Sequence, residues 1–226
     1  MTRVLVVAHE PQLVRSLEAG LTSRNYGVDT AHEEDAALRL VAARDPDAVL
    51  LDLCLGGVHE LALLRALRGR TPAPLLAISA RHEPEELAEV LDAGADDHLA
   101  RSFSMVELLA RLRAAMRRCA PVVAGRPATV TTDAFTVDLA ARKIHRGGRP
   151  VRLTPTEWHV LEALLRTPGL LVSRQQLLEE VWGSGHHDKT NYLRVYMAQL
   201  RHKLERDPAH PRHLITEPGM GYRFEL

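Results

Sequence analysis

The stretch AVLLDLCL, residues 48–55, is an almost unbroken apolar run with one interruption, Asp52. A strand with one wet face alternates apolar and polar residues. A run that is apolar at both parities belongs to a central parallel strand covered on both faces. Similar runs lie on either side of it, at Val4–Val7, Val28–Thr30, Leu75–Ser79 and His98–Leu99. Between them apolar residues recur at helical spacing: Leu13, Leu17 and Leu21; Ala37 to Val41; Leu61, Leu64 and Leu67; Leu87 to Leu91; Val106, Leu109 and Leu112. Five βα units predict an α/β doubly wound five-stranded parallel sheet with right-handed crossovers. Such sheets work in the crevice outside the carboxyl ends of their strands. The residues delivered there are Ala8, His9, Asp52, Ser79 and Arg101.

The chain has 226 residues, enough for two modest domains, each with its own core. Its net charge of zero conceals a division. Met1 to Ala120 carry 18 acids against 14 Lys and Arg, and Pro121 to Leu226 carry 11 against 15. An acidic half joined to a basic half makes the basic one, Pro121 to Leu226, the candidate for a polyanionic partner. No window has the length and apolarity of a membrane span, and the first residues lack a signal-peptide pattern, so no membrane partner and a cytoplasmic setting are expected. Cys54 and Cys119 have no metal-ligand spacing and suit a reducing compartment. The 12 histidines likewise show no paired ligand spacing beyond the adjacent His186 and His187, so no metal site is expected.

After Arg118 the segment CAPVVAGRPATV reads as a linker, placing domains at 1–118 and 129–226 with 119–128 between them. Short strand-like pieces follow, and then two punctuated helices. LTPTEWHVLEALL starts with Thr154 as N-cap, Pro155 at the first helical position and Glu157 closing a capping box. SRQQLLEEVWG repeats the arrangement with Ser173 and Gln176 and stops at Gly183. A third helix is expected from about Lys189 to Arg206, with Leu193, Met197, Leu200 and Leu204 as its inward stripe. The other side presents Asn191, Arg194, Val195, Ala198, Arg201 and His202. Arg suits guanine edges and Asn suits adenine, so this face can read a major groove; a plain solvated face fits the helix equally well. HLITEPGMGYRFEL then forms a hairpin around Pro-Gly, with Thr216 and Arg223 flanking the tip where a wing meets phosphates or the minor groove.

Three helices and a hairpin make a winged helix-turn-helix, and these four segments resemble the effector domain of OmpR/PhoB-type response regulators. From Asp133 to Leu226 the chain is most similar to the potassium-transport (Kdp) response regulators. The resemblance implies double-stranded DNA bound at direct-repeat operators, with the third helix in the major groove. The first 118 residues resemble the CheY-like receiver domain of the same family. DAVLLDLCLGG places the phospho-acceptor position at Asp52, and LLAISAR places the switch hydroxyl at Ser79.

The receiver departs from the family pattern in one place. Ala8 and His9 stand where the family has two acids that hold Mg²⁺, a hard cation that needs oxygen ligands. Arg101 replaces a lysine that pairs with the phosphoryl group, Ser102 replaces the proline after it, and His98 replaces an aromatic switch residue. Binding of Mg²⁺ is therefore expected to be weak or absent. The expectation is a regulator working without Mg-dependent phosphorylation, controlled by a small molecule on the receiver, a partner protein or abundance. The alternative is a conventional regulator phosphorylated on Asp52 by a sensor histidine kinase. In the first case His9 and Arg101 would both pair with Asp52 and supply the charge that Mg²⁺ otherwise provides. The resemblance also implies a homodimer, its face drawn from Leu87, Asp96, Asp97, Glu107, Arg111 and Arg118, with Leu87 where a basic partner for Glu107 is usual. An enzyme on the doubly wound fold is disfavoured, because no Gly-rich phosphate loop follows the first strand and no nucleophile–base pair can be placed.

Overall fold

The computed structural model describes residues 1–54, 60–80, 84–119, 129–183 and 190–226. The chain divides into two compact units, Met1–Cys119 and Ala120–Leu226. Residues 120–128 of the expected linker, and the pair His186 and His187, lie outside the described residues.

Among the described residues of the first unit five strands alternate with five helices: β1 (Arg3–Val7), α1 (Pro11–Thr22), β2 (Gly27–Ala31), α2 (Glu34–Arg44), β3 (Ala48–Asp52), α3 (Glu60–Arg68), β4 (Leu75–Ser79), α4 (Pro84–Asp92), β5 (Asp97–Ala100) and α5 (Met105–Cys119). The strands pair in parallel in the order β2-β1-β3-β4-β5, the doubly wound arrangement. Every residue of β3 is buried, and so is every residue of β4. One parity explains half of this. Val4, Val6, Leu50, Leu76, Ile78 and Leu99 join Leu17 and Leu21 of α1 and Leu108, Leu109 and Leu112 of α5 in one cluster. The other parity, Leu5, Val49, Leu51, Leu75 and Ala77, is buried as well. On β1 and β2 packs α2, which also meets α3. Strand β2 is an edge and mostly half-buried, which is why its apolar signal is the weakest of the five. Ala8 belongs to the core rather than to a pocket wall: it is wholly buried within the α1/α5 cluster.

The second unit opens with a four-stranded antiparallel sheet, β6 (Thr129–Thr131), β7 (Phe135–Asp138), β8 (Lys143–Arg146) and β9 (Arg149–Val151), in sequential order. Helices α6 (Pro155–Leu165), α7 (Arg174–Trp182) and α8 (Thr190–Leu204) follow. Both capping boxes form, Thr154 with Glu157 and Ser173 with Gln176, and Gly183 ends α7 at φ 90°. The α8 stripe Leu193, Met197, Leu200 and Leu204 is buried throughout. Strands β11 (Leu214–Glu217) and β12 (Gly221–Phe224) make the expected hairpin. A third strand, β10 (Leu171–Ser173), pairs with the outer side of β12 and turns the hairpin into a sheet. There the backbones come so close that a Cβ on Gly221 would collide with the Val172 carbonyl oxygen. Among the described residues, no helix is long and apolar enough to cross a membrane.

Candidate functional site

The carboxyl ends of β1, β3, β4 and β5 bring the predicted strand-end residues to one edge of the first unit. Asp52, the last residue of β3, is almost wholly buried. Its Oδ1 accepts the Cys54 N–H at 3.1 Å. Its Oδ2 receives no hydrogen bond and lies 3.7 Å from Nη2 of Arg101. The same Nη2 forms a very short ion pair with Oε2 of Glu10. Arg101 thus spans two carboxylates. Above all the Asp52 carboxylate, with Cys54 and Glu10 adding, pushes the guanidinium pKa up against the opposing effect of burial.

His9 does not take the expected place beside Asp52. It is exposed, and among the described residues it makes no hydrogen bond or ion pair. The partner of Arg101 is the next residue, Glu10, which is also the N-cap of α1 but leaves the cap unbonded with its side chain. At the first loop another histidine acts structurally: His32 donates through Nδ1 to the Ala8 carbonyl at 3.0 Å. The switch pair is also joined. Ser79 Oγ and His98 Nε2 share a hydrogen bond of 2.8 Å, and both residues are buried. Among the described residues, the carboxylate oxygens at this edge are therefore those of Asp52 and those of Glu10, already held by Arg101.

Of the residues expected on a dimer face, Asp96 is placed elsewhere. It is 0% exposed, and its Oδ2 accepts from Arg68 Nη2 at 2.5 Å and from the Leu75 N–H at 2.9 Å. Arg68 further donates to the carbonyls of Gly94, Thr71 and Ala73. Asp97, Arg111 and Glu107 are linked within the chain, Arg111 reaching Glu107 Oε1 at 2.8 Å and Asp97 Oδ1 at 3.4 Å. Burial pulls the Arg111 pKa down, but its two acids outweigh this and the net direction is up. Leu87 is half-buried, Val106, next to Glu107 in the chain, is 72% exposed, and the side chain of Arg118 lies outside the described residues.

In the second unit α8 presents Asn191, Arg194, Ala198 and His202 to solvent, with Val195 half-buried beside them. Arg201 is drawn away from that face. Its Nε and Nη2 donate to the Leu214 carbonyl at 2.8 and 2.6 Å, and Nη2 donates to Thr216 Oγ1 at 2.6 Å. Arg223 is likewise engaged, by Glu217 and Glu225, so its charge is matched within the wing. Thr216 is exposed on β11. A cation that the sequence reading passed over is Arg174, the first residue of α7. It lies near Tyr222 together with Arg201 and Arg194; burial pushes the Tyr222 pKa up and these three cations partly offset it. Position was the available signal: Arg174 follows the Ser173 N-cap directly and donates its N–H to the Met220 carbonyl in the wing tip at 3.3 Å.

A doubly wound unit with an aspartate closing its third strand, followed by a winged helix-turn-helix, defines the two-domain response regulators. The chain belongs to the OmpR/PhoB-type family of them. Residues 4–113 match the model described as response regulator receiver domain, and residues 148–224 match transcriptional regulatory protein, C terminal. The transcriptional regulatory protein KdpE of Mycobacterium tuberculosis (strain ATCC 25618 / H37Rv) is 51% identical over 225 residues, covering 100% of each chain. The KDP operon transcriptional regulatory protein KdpE of Escherichia coli (strain K12) is 44% identical over 226 residues, again covering 100% of each. Among solved structures, a mutant of RitR superposes with a TM-score of 0.80 at 26% identity, covering 99% of both chains. The chain is a DNA-binding regulator of transcription of the KdpE type and not an enzyme.

Proposed function

We propose that this regulator binds direct-repeat operators as a homodimer and that its receiver works without Mg-dependent phosphorylation. Arg101 carries the reading. A guanidinium 3.7 Å from Asp52 Oδ2 and paired with Glu10 occupies the surroundings in which a divalent cation would need negative charge and vacant oxygens. Mg²⁺ takes near-octahedral oxygen ligands and usually rests on one or two carboxylates plus phosphate. Here it would compete with a fixed positive charge for one buried carboxylate, and the residues do not fit it. The hydrogen bond between Ser79 and His98 supports the same reading, because it engages the hydroxyl that would otherwise answer a phosphoryl group. Control then falls to a small molecule, a partner protein or the abundance of the regulator.

One observation favours the conventional alternative, phosphorylation on Asp52 by a sensor histidine kinase. Asp52 Oδ2 accepts no hydrogen bond, which leaves its lone pairs unengaged for attack on a phosphodonor. The two readings separate in one experiment on the full chain. Acetyl phosphate is supplied with Mg²⁺ and phosphoaspartate is sought on a phosphate-affinity gel, while footprinting, with acetyl phosphate or with the phosphoryl mimic beryllofluoride, follows binding to the protein's own promoter region. No phosphorylated band and an unchanged footprint are expected, for the wild type and for Asp52→Asn alike. A phosphorylated band that disappears in Asp52→Asn, with tighter DNA binding in the wild type, overturns the reading.

A further inference from the structure

We infer that Arg201 is a positioning residue that ties the groove-reading helix to the wing, and not one of the residues that touch DNA. Its place on α8 puts it in the row of Asn191, Arg194 and Ala198, and a helical projection assigns it to the groove. The side chain is long enough to leave that row. Three donations, from Nε and Nη2 to the Leu214 carbonyl and from Nη2 to Thr216 Oγ1, fasten it to β11 thirteen and fifteen residues further on. Leu214 is the first residue of β11, and Thr216 points outward two residues later on the same strand. The guanidinium therefore fixes both the start of the wing and its rotation relative to α8.

Three neighbouring features make this arrangement persistent. Burial lowers the Arg201 pKa more than Tyr222 and Glu205 raise it, so the group sits in a partly desolvated position rather than in the open groove. The backbone of the same turn is held by Glu205, whose Oε1 accepts from the His213 and Leu214 N–H groups at 2.9 and 2.7 Å. At the carboxyl end of α8, Arg146 donates to the His202 and Lys203 carbonyls and holds the last turn that carries Arg201. Recognition elements held in place before binding avoid part of the ordering cost at the moment of binding. Arg201 acts in this way on the wing, and base and phosphate contact is left to Arg194, Asn191 and Arg174. The inference holds whichever way the receiver is controlled.

The test uses the full chain and a duplex selected by that chain from a random-sequence pool, so no operator needs to be known. Arg201→Met, Thr216→Val and Arg194→Met are compared with the wild type by titration over a range of salt. Each phosphate contact that is lost lowers the slope of log affinity against log salt by about 0.9. For Arg201→Met the expected result is a loss of affinity of about tenfold with an unchanged slope and faster amide exchange at residues 214–217 and 221–224 of the free protein. Thr216→Val removes one arm of the clasp and is expected to shift both readouts the same way by less. Arg194→Met is expected to lower the slope without changing wing exchange. A slope reduced by about 0.9 in Arg201→Met with unaltered wing exchange makes Arg201 a phosphate contact and overturns the inference. So does an altered preference at a single base pair in a repeated selection, which would make it a base reader.

Discussion

Arg68→Met tests where Asp96 resides. The carboxylate is 0% exposed and the guanidinium side chain 15%, and they meet at 2.5 Å. The substitution keeps much of the side-chain volume but removes the guanidinium that pairs with Asp96 and its donations to the Gly94, Thr71 and Ala73 carbonyls. Removing one partner of a buried pair typically costs about 3–5 kcal/mol, because the remaining charge stays buried and uncompensated. The partial exposure of Arg68 admits water to the gap, so the lower end, about 3 kcal/mol, is expected here. For a unit of this size that lowers the melting temperature by roughly 10–15 °C. Calorimetry on the full chain would follow the transition of the first unit separately from that of the second. Adding Asp96→Asn removes the stranded charge while the amide oxygen still accepts from the Leu75 N–H, and the double variant should recover at least about half of the loss. A loss below about 1 kcal/mol in Arg68→Met would refute the reasoning. Asp96 would then have water or a second protomer within reach, as its place in the dimer set implied.

Three further outcomes are expected. The Asp133 pKa is held below the ordinary carboxylate value, first by its hydrogen bond with His213 and then by Arg212 and Arg206. The stability this supplies is complete above the unfolded value of about 4 and is lost as pH falls through the folded one; Asp133→Asn should flatten the acid limb of the second unit's melting profile and lower its stability at neutral pH. Thr154→Ala removes the buried N-cap of α6 and should cost about 1 kcal/mol in urea unfolding, with Ser173→Ala close to it at α7. Gly221→Ala drives a methyl group into the Val172 carbonyl, so it should destabilise the second unit by about 1–3 kcal/mol and weaken DNA binding through the wing, read by titration with the selected duplex.

What the sequence disclosed was whatever periodicity and local chemistry encode. AVLLD is apolar at both parities because helices cover both faces of β3, and that alone places it at the centre of the sheet. Thr154, Pro155 and Glu157 announce a helix start because the capping box is complete within four residues. Pairings made across the fold were not legible. Arg101 meets Glu10 across 91 positions, and nothing in AHEP distinguishes the histidine that makes no such pair from the glutamate that reaches Arg101. Asp96 and Arg68 lie 28 positions apart and read separately as a surface acid and a helix-end base. For Arg201 the helical face was right and the direction of the side chain was not, because a long flexible side chain can leave the face on which its Cα sits. Strand β10 is three residues of mixed polarity, too short to carry an alternation of its own.

The wing has a root paired on both sides and a tip of exposed residues, and this limits how its length can change in descent. Ser173 of β10 pairs with Gly221, and Glu217 of β11 pairs with the same residue from the other side. Beyond them Pro218, Gly219 and Met220 are exposed, with Gly219 at φ 79° closing the turn. Residues added at the tip alter the turn but leave the strand register from the Gly221 rung onward unchanged. Added inside a strand, they must come in twos: a single extra residue would exchange the faces of Tyr222 and Phe224, sending ring carbons into water and Arg223 into the core. Lengthening of this wing is therefore free at three residues and quantised everywhere else.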